Sequence, residues 1–108
     1  MEVMIGKINS VRIGHGGYQD AMIGITFDLG GKGWGIGDHW GAWSIERSDY
    51  CEWTEEDRID QLGKIFMRIN ELLKKSKVDD VNKLKNIPVE VTIEGNTLKS
   101  WRILEEVL

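Results

Sequence analysis

The segment TEEDRIDQLGKIFMRINELLKKSK, which runs from Thr54 to Lys77, decides the fold class of this chain. Thr54 can cap the free amides of a helix, and Asp57 takes the place of the Glu or Gln of a full capping box. Lysines close the segment, where cations favour the negative end of the helix dipole. Apolar residues recur at spacings of three and four, which predicts an amphipathic helix over about 54–76 with this stripe on its packed side: Ile59, Leu62, Phe66, Ile69 and Leu73, widened by Ile65 and Leu72.

Strand patterns precede the predicted helix. Residues 3–13 are typical of a strand, and residues 21–29 alternate apolar and polar side chains. Gly30-Gly31 is a turn signal between strands. Residues 32–45 predict one or two further strands, in which the many glycines suggest close approach of another backbone or a ligand.

A short helix and two strands are predicted after the long helix. Residues 79–85 can form the short second helix, which ends before Pro88. Residues 89–93 and 98–104 alternate as strands, and Gly95-Asn96 between them is a two-residue hairpin turn. The order of strands, helix and strands predicts a single α+β domain over residues 1–108, with a mostly antiparallel β-sheet and a C-terminal β-hairpin.

Charge and cysteine content exclude several classes of protein. The chain of 108 residues has a net charge of −4, so broad electrostatic binding to a nucleic acid polymer is not expected. Cys51 is the single cysteine, which excludes an intrachain disulfide and a CxxC zinc site and fits a reducing, cytoplasmic setting. The start MEVMIGK has no basic region followed by an apolar run, and no stretch is long enough to span a membrane. We therefore expect neither a secretory signal nor a membrane protein.

The sequence contains none of the catalytic or cofactor motifs that we sought. No Gly-Lys pair is followed by the Ser or Thr of a phosphate-binding P-loop, and the glycines around Gly33 lack the third glycine of a dinucleotide fingerprint. Cys51 and His39 have no third orienting group for nucleophilic catalysis. The histidines, Asp38 and Cys51 do not have the spacing of metal ligands. We predict that the protein is not an enzyme and uses no metal or cofactor.

The run GGKGWGIGDHWGAW, from Gly30 to Trp43, is the strongest functional signal. Glycines let a backbone approach a flat or charged group closely, and tryptophan offers a rigid face that can stack on a nucleobase. Each single tryptophan could instead belong to the core. A core of this size does not easily accommodate the four tryptophans of residues 34–53, so some are expected to face a ligand, a partner or a second subunit.

Basic and aromatic residues around this run are candidates for binding a phosphate or a base. The loop after Ile13 adds a second aromatic residue and mobile amides, and arginines bind phosphate through two parallel hydrogen bonds. The predicted ligand-binding residues are Arg12, His15, Tyr18, Trp34, His39, Trp40, Trp43, Arg47 and Arg58.

Several stretches of the chain resemble small proteins encoded by phages and prophages. They are Val11–Gly24, Gly33–Asp38, Trp53–Arg58, Pro88–Thr92 and Ser100–Leu104. The chain is similar over nearly its whole length to the Thoeris anti-defence protein one family. This resemblance implies a sponge, because members bind glycocyclic ADP-ribose signals, and in some cases cyclic oligonucleotides, without cleaving them. It also implies a homo-oligomer, a dimer or larger, with pockets at subunit contacts, and it assigns no binding residue of this chain.

These observations lead to three hypotheses. The first is a phage-type anti-defence protein that sequesters a cyclic nucleotide immune signal in the cytoplasm of the host. The alternative is a protein-binding inhibitor of a bacterial defence factor, because exposed tryptophans are good interface anchors. The third is a structural or assembly module, in which the tryptophans are buried in the subunit or in its self-contact.

Overall fold

A computed structural model describes residues 1–108 and shows five antiparallel strands in one sheet, with one long helix against it. The predicted α+β class is confirmed, and the Gly95-Asn96 turn joins the last two strands. The elements are β1 (Glu2–Gly16), β2 (Met22–Gly31), β3 (Trp34–Trp43), α1 (Glu55–Ser76), β4 (Pro88–Glu94) and β5 (Thr97–Ile103). Short 3-10 helices occupy Tyr18–Asp20, Val81–Leu84 and Glu105–Val107.

The length and the bend of β1 determine the topology. The sheet has the order β3-β2-β1-β4-β5. Residues Glu2–Lys7 of β1 pair with β4, and residues Lys7–Gly16 pair with β2. The register between β1 and β2 shifts at Asn9, and such a bulge bends a strand and increases its twist. One strand, longer than the predicted 3–13, therefore belongs both to a three-stranded meander and to the pairing with the C-terminal hairpin.

The two edge strands approach one another across the helix-covered side of the sheet. Trp101 of β5 stacks on Trp40 of β3, with ring centroids 5.8 Å apart and an interplanar angle of 18°. Phe27 of β2 lies against both rings, at centroid distances of 4.6 and 4.9 Å. The twisted sheet is therefore a partly open barrel, and we call the Trp40–Trp101 contact its seam.

The start of α1 has the cap that the sequence predicts. Asp57 donates its backbone N–H to Thr54 Oγ1 at 3.1 Å, and the backbone N–H of Thr54 donates to Asp57 Oδ2 at 2.8 Å. Aspartate thus completes the capping box in place of glutamate. These bonds satisfy two backbone donors at the start of the helix, and they hold the pKa of Asp57 below its usual value.

The prediction for the packed side of α1 is only partly correct. Ile65, Ile69 and Leu72 are buried against the sheet. Ile59 and Phe66 are instead 67% and 66% exposed. Successive helical residues are rotated by about 100°, so these two side chains lie on the flank of the line through Ile69. The sheet covers a narrower arc of the helix than the apolar residues occupy, and part of the stripe is left without a partner.

Candidate functional site

The register of the strands leaves one face of the meander lined with glycine. Side chains alternate between the two faces of a strand, so residues paired across strands share a face. On the face opposite α1, Gly14, Gly24 and Gly41 stand side by side across β1, β2 and β3. Gly35 and Gly37 lie on the same face of β3. We call this surface the glycine face.

The glycine face is tight at its centre and open toward one end. A Cβ atom at Gly24 would overlap the carbonyl oxygen of Trp40, so only glycine lets the two strands lie this close. A Cβ at Gly37 would meet nothing nearer than the Phe27 carbonyl oxygen, at 3.6 Å. The backbone around Gly37 is therefore accessible to a flat group.

Arg12, Thr26 and His39 form the next row across the same three strands. Thr26 Oγ1 and His39 Nδ1 form a hydrogen bond of 2.8 Å. The imidazole ring leans over the glycine row, which consists of Gly14, Gly24 and Gly41. A Cβ at Gly41 would overlap His39 Nε2. His39 Nε2 is buried and has no hydrogen-bond partner. The glycine row thus provides the space for the imidazole and leaves one of its nitrogens free.

The Arg12 guanidinium lies beside this ring and carries an uncompensated charge. Arg12 Nη1 donates to the carbonyl oxygen of His15 at 2.7 Å. Arg12 takes part in none of the salt bridges of the protein. Burial and the Arg12 charge lower the pKa of His39 below 6.5, and the Asp38 carboxylate opposes them only in part. The row of Arg12, Thr26 and His39, which we call the Arg12 row, therefore combines a fixed positive charge with an imidazole that is mainly neutral at pH 7.

Two further predicted residues lie near this row. Trp43 is on the glycine face of β3, opposite Met22, and is half-buried. Tyr18 is 69% exposed in the connection between β1 and β2. His15 pairs with Ile23, so its side chain is on the other face of β1. The structure thus brings Arg12, His39 and Trp43 to one face, with Tyr18 at its end.

Trp34 and Trp40 point away from the glycine face, toward the side that α1 covers. Trp40 is only 9% exposed, and its Nε1 donates to Asp38 Oδ2 at 3.0 Å. Trp34 packs against the core and lines a shallow cavity of about 270 Å³ with Met4 and Ile93. Both side chains fill space within the chain, as the alternative of core tryptophans allows.

Arg47 and Arg58 brace the connection between β3 and α1. Arg47 Nε donates to the carbonyl oxygen of Trp53 at 2.6 Å. The Arg58 guanidinium lies 4.4 Å from the centroid of the Trp53 ring, and its Nη2 donates to the carbonyl oxygen of Ile45 at 2.9 Å. Both arginines use donors to hold the chain itself, and neither belongs to the Arg12 row.

The sequence did not indicate a site role for Thr26, Arg68 or Trp101. Thr26 orients His39, and its place opposite Arg12 follows only from the strand register. Arg68 of α1 lies 3.9 Å from the centroid of the Trp40 ring, and with Trp101 it lines two adjoining cavities of about 310 and 360 Å³. No periodicity connects a helical arginine with two tryptophans on different strands, so no sequence signal was available for this cleft.

No three His, Cys, Asp or Glu side chains come together as a possible metal site. None of the helices has both the length and the apolar character needed to cross a membrane. Comparison with protein families, with characterised proteins and with solved structures found no match to this chain.

Proposed function

We propose that the protein binds a cyclic nucleotide signal of the glycocyclic ADP-ribose class on its glycine face and sequesters it without cleavage. The observation that carries this proposal is the Arg12 guanidinium, which has no carboxylate partner, beside the buried His39 Nε2, which has no hydrogen-bond partner, next to bare backbone. A base can lie flat on exposed peptide groups near Gly37, while a phosphate accepts two hydrogen bonds from an arginine. Cyclic oligonucleotides also carry a base and a phosphate, and they are the second ligand class that this arrangement could bind.

The connectivity of the barrel supports a nucleotide-type ligand. A meander, a helix and a hairpin around a shared, bulged first strand have the arrangement of OB-type barrels, which are partly open and five-stranded. Such barrels bind oligonucleotides and oligosaccharides on strands 2 and 3 and with the loops between strands 1 and 2 and between strands 4 and 5. The glycine face lies on the corresponding strands, and Tyr18 lies in the first of these loops. The fold alone does not establish the ligand, so the residues of the row carry the proposal.

Sequestration rather than hydrolysis fits the surroundings of His39. General acid–base cleavage requires a second group positioned to transfer a proton. The neighbouring carboxylate of Asp38 points to the other face, where Oδ2 accepts hydrogen bonds from Trp40 and Trp101. An anti-defence role in the cytoplasm of an infected cell requires only affinity, and we expect one ligand per chain of a homo-oligomer.

The test is binding of a ligand panel to the wild type and to Arg12→Ala. The panel contains cyclic ADP-ribose isomers, cyclic di- and trinucleotides and linear ADP-ribose, measured by calorimetry and by native mass spectrometry. We expect one class to bind and to be recovered intact, and Arg12→Ala to weaken it by about ten- to a hundredfold, since hydrogen bonds to charged groups contribute about 1.5–3 kcal/mol.

Arg47→Ala is the matched control, because it removes an arginine that lies in the connection between β3 and α1 and not on the glycine face. It should leave the affinity unchanged. Absence of binding across the panel would contradict the proposal. An equal loss of affinity in Arg12→Ala and Arg47→Ala would show that the ligand does not use the glycine face.

A further inference from the structure

Helix α1 carries apolar side chains that the rest of the chain does not cover. Ile59, Phe66 and Met67 are 67%, 66% and 62% exposed. They lie on one side of the helix together with Gly63, away from the buried Ile69. We call this side the exposed stripe of α1, and its residues are Glu56, Ile59, Gly63, Phe66, Met67, Asn70 and Lys74.

The exposed stripe has a gap in its middle. A Cβ at Gly63 would meet nothing within 4 Å. Met67 stands one turn further along the helix and projects beside this gap, since residues four apart are neighbours on a helix surface. A protruding methionine next to a glycine gap is a self-complementary shape, because the methionine of one helix can fill the gap of another.

The ends of the exposed stripe carry opposite charges. Glu56 and Lys74 are separated by about five helical turns and so lie on the same side of α1. Neither residue takes part in a salt bridge within the chain. The stripe therefore offers an unpaired acid at its start and an unpaired base at its end.

We propose that the exposed stripe of α1 packs antiparallel against the same stripe of a second copy of this chain. The Gly63–Met67 pair and the Glu56–Lys74 pair have the same midpoint along the helix, at Ile65. One two-fold axis at this level therefore places each Met67 on the Gly63 of the other copy and each Glu56 against the Lys74 of the other copy. A parallel pair would oppose like charges, and a closed dimer uses one self-complementary surface.

This contact does not use the glycine face. Helix α1 covers the opposite face of the sheet, and the exposed stripe points away from that sheet. The dimer therefore leaves both proposed ligand sites open, and the self-pairing stands whether or not a nucleotide binds. Loss of self-pairing and loss of ligand binding are separate outcomes, because they are measured on different variants.

The first test is sedimentation equilibrium of the full chain over a range of micromolar concentrations. We expect the wild type to be a dimer and Phe66→Glu to be a monomer with unchanged circular dichroism, because Phe66 is exposed. Tyr50→Glu is the matched control, since Tyr50 is 97% exposed and lies outside the stripe. It should remain a dimer. A monomeric wild type, or a dimer that Phe66→Glu leaves intact, would overturn the proposal.

The second test addresses the orientation of the two helices. Glu56→Lys and Lys74→Glu should each weaken the dimer by about three- to tenfold, because each change opposes like charges across the contact. The double variant should recover the wild-type dimerisation constant. A double variant no tighter than either single variant would overturn the antiparallel pairing. A wild-type monomer that binds a different protein through Phe66 would assign the stripe to that protein and not to a second copy.

Discussion

His39 shows how strand register changes the properties of a side chain. The sequence places it in a glycine-rich segment and makes it a candidate ligand-binding residue. The sheet instead aligns it with Thr26 and Arg12 and lets its ring lean over the glycine row. Burial and the Arg12 charge both disfavour the imidazolium, so the pKa of His39 is lowered.

This shift predicts a dependence of stability on pH. The folded pKa of His39 lies below the unfolded value of about 6.5, so the unfolded chain binds the proton first as pH falls. The stabilising contribution is complete above the unfolded pKa and is lost as pH falls through the folded pKa. We expect the free energy of unfolding in urea to decrease between about pH 7 and pH 5 in the wild type and to decrease less in His39→Gln.

His15→Gln is the control, because His15 lies outside the Arg12 row and should retain the wild-type slope. The shifted carboxylates, Asp57, Asp79 and Glu106, also have lowered pKa values and lose their contributions at lower pH, below the usual carboxylate values. The loss of stability caused by His39 therefore occurs at higher pH than the loss caused by the carboxylates. Equal slopes for the wild type and His39→Gln between pH 7 and pH 5 would exclude His39 as their source.

The glycines of β2 and β3 have different roles within their strands. Gly24 allows the backbones of two neighbouring strands to approach, whereas Gly37 leaves an open surface. Gly24 therefore has a structural role in the contact between two strands. Gly37 exposes backbone on which a flat ligand could lie.

We expect Gly24→Ala and Gly37→Ala to differ strongly in stability. A methyl group at Gly24 meets the backbone of Trp40 and cannot be relieved by a side-chain rotation, so the free energy of unfolding should fall by about 3 kcal/mol or more. A methyl group at Gly37 has space, so Gly37→Ala should lie within about 1 kcal/mol of the wild type. Urea unfolding monitored by circular dichroism measures both. Similar values for the two variants would contradict the distinction between them.

The seam joins two edge strands, β3 and β5, that are distant in the chain. Asp38 of β3 accepts hydrogen bonds at Oδ2 from Trp40 at 3.0 Å and from Trp101 of β5 at 2.7 Å. Phe27 packs against both indoles. A single carboxylate thus links the meander to the C-terminal hairpin, and it satisfies two part-buried N–H donors.

Asp38→Ala should lower the free energy of unfolding by about 2–4 kcal/mol, because two indole donors lose a charged acceptor. Asp38→Asn keeps an oxygen acceptor and should cost less than half as much. Asp28→Ala, at an exposed position of β2, should stay within about 0.5 kcal/mol of the wild type. Urea unfolding followed by tryptophan fluorescence reports on the seam directly. A loss in Asp38→Ala no larger than in Asp28→Ala would show that the carboxylate does not hold the strands together.

Local features of this protein could be read from its sequence. The Thr54 cap, the extent of α1, the Gly95-Asn96 turn and the alternation of β2 and β4 each depend on residues within a few positions of one another. The sequence placed Arg12, His39 and Trp43 among the candidate residues of one ligand site, but it did not predict that they share a face of the sheet. Their common face follows from the register of three strands, which a local pattern does not specify.

The remaining features depend on how distant segments of the chain pack together. The Asn9 bulge bends β1, and that bend brings Trp101 to Trp40 and turns a sheet into a partly open barrel. The closure assigns Trp40 to the core, places Arg68 on its ring, and leaves Phe66 outside the arc that the sheet covers. Each of these outcomes depends on contacts between segments far apart in the chain. Helical and strand periodicities describe only which side chains share a face, whereas the packing of all five strands determines which face is covered.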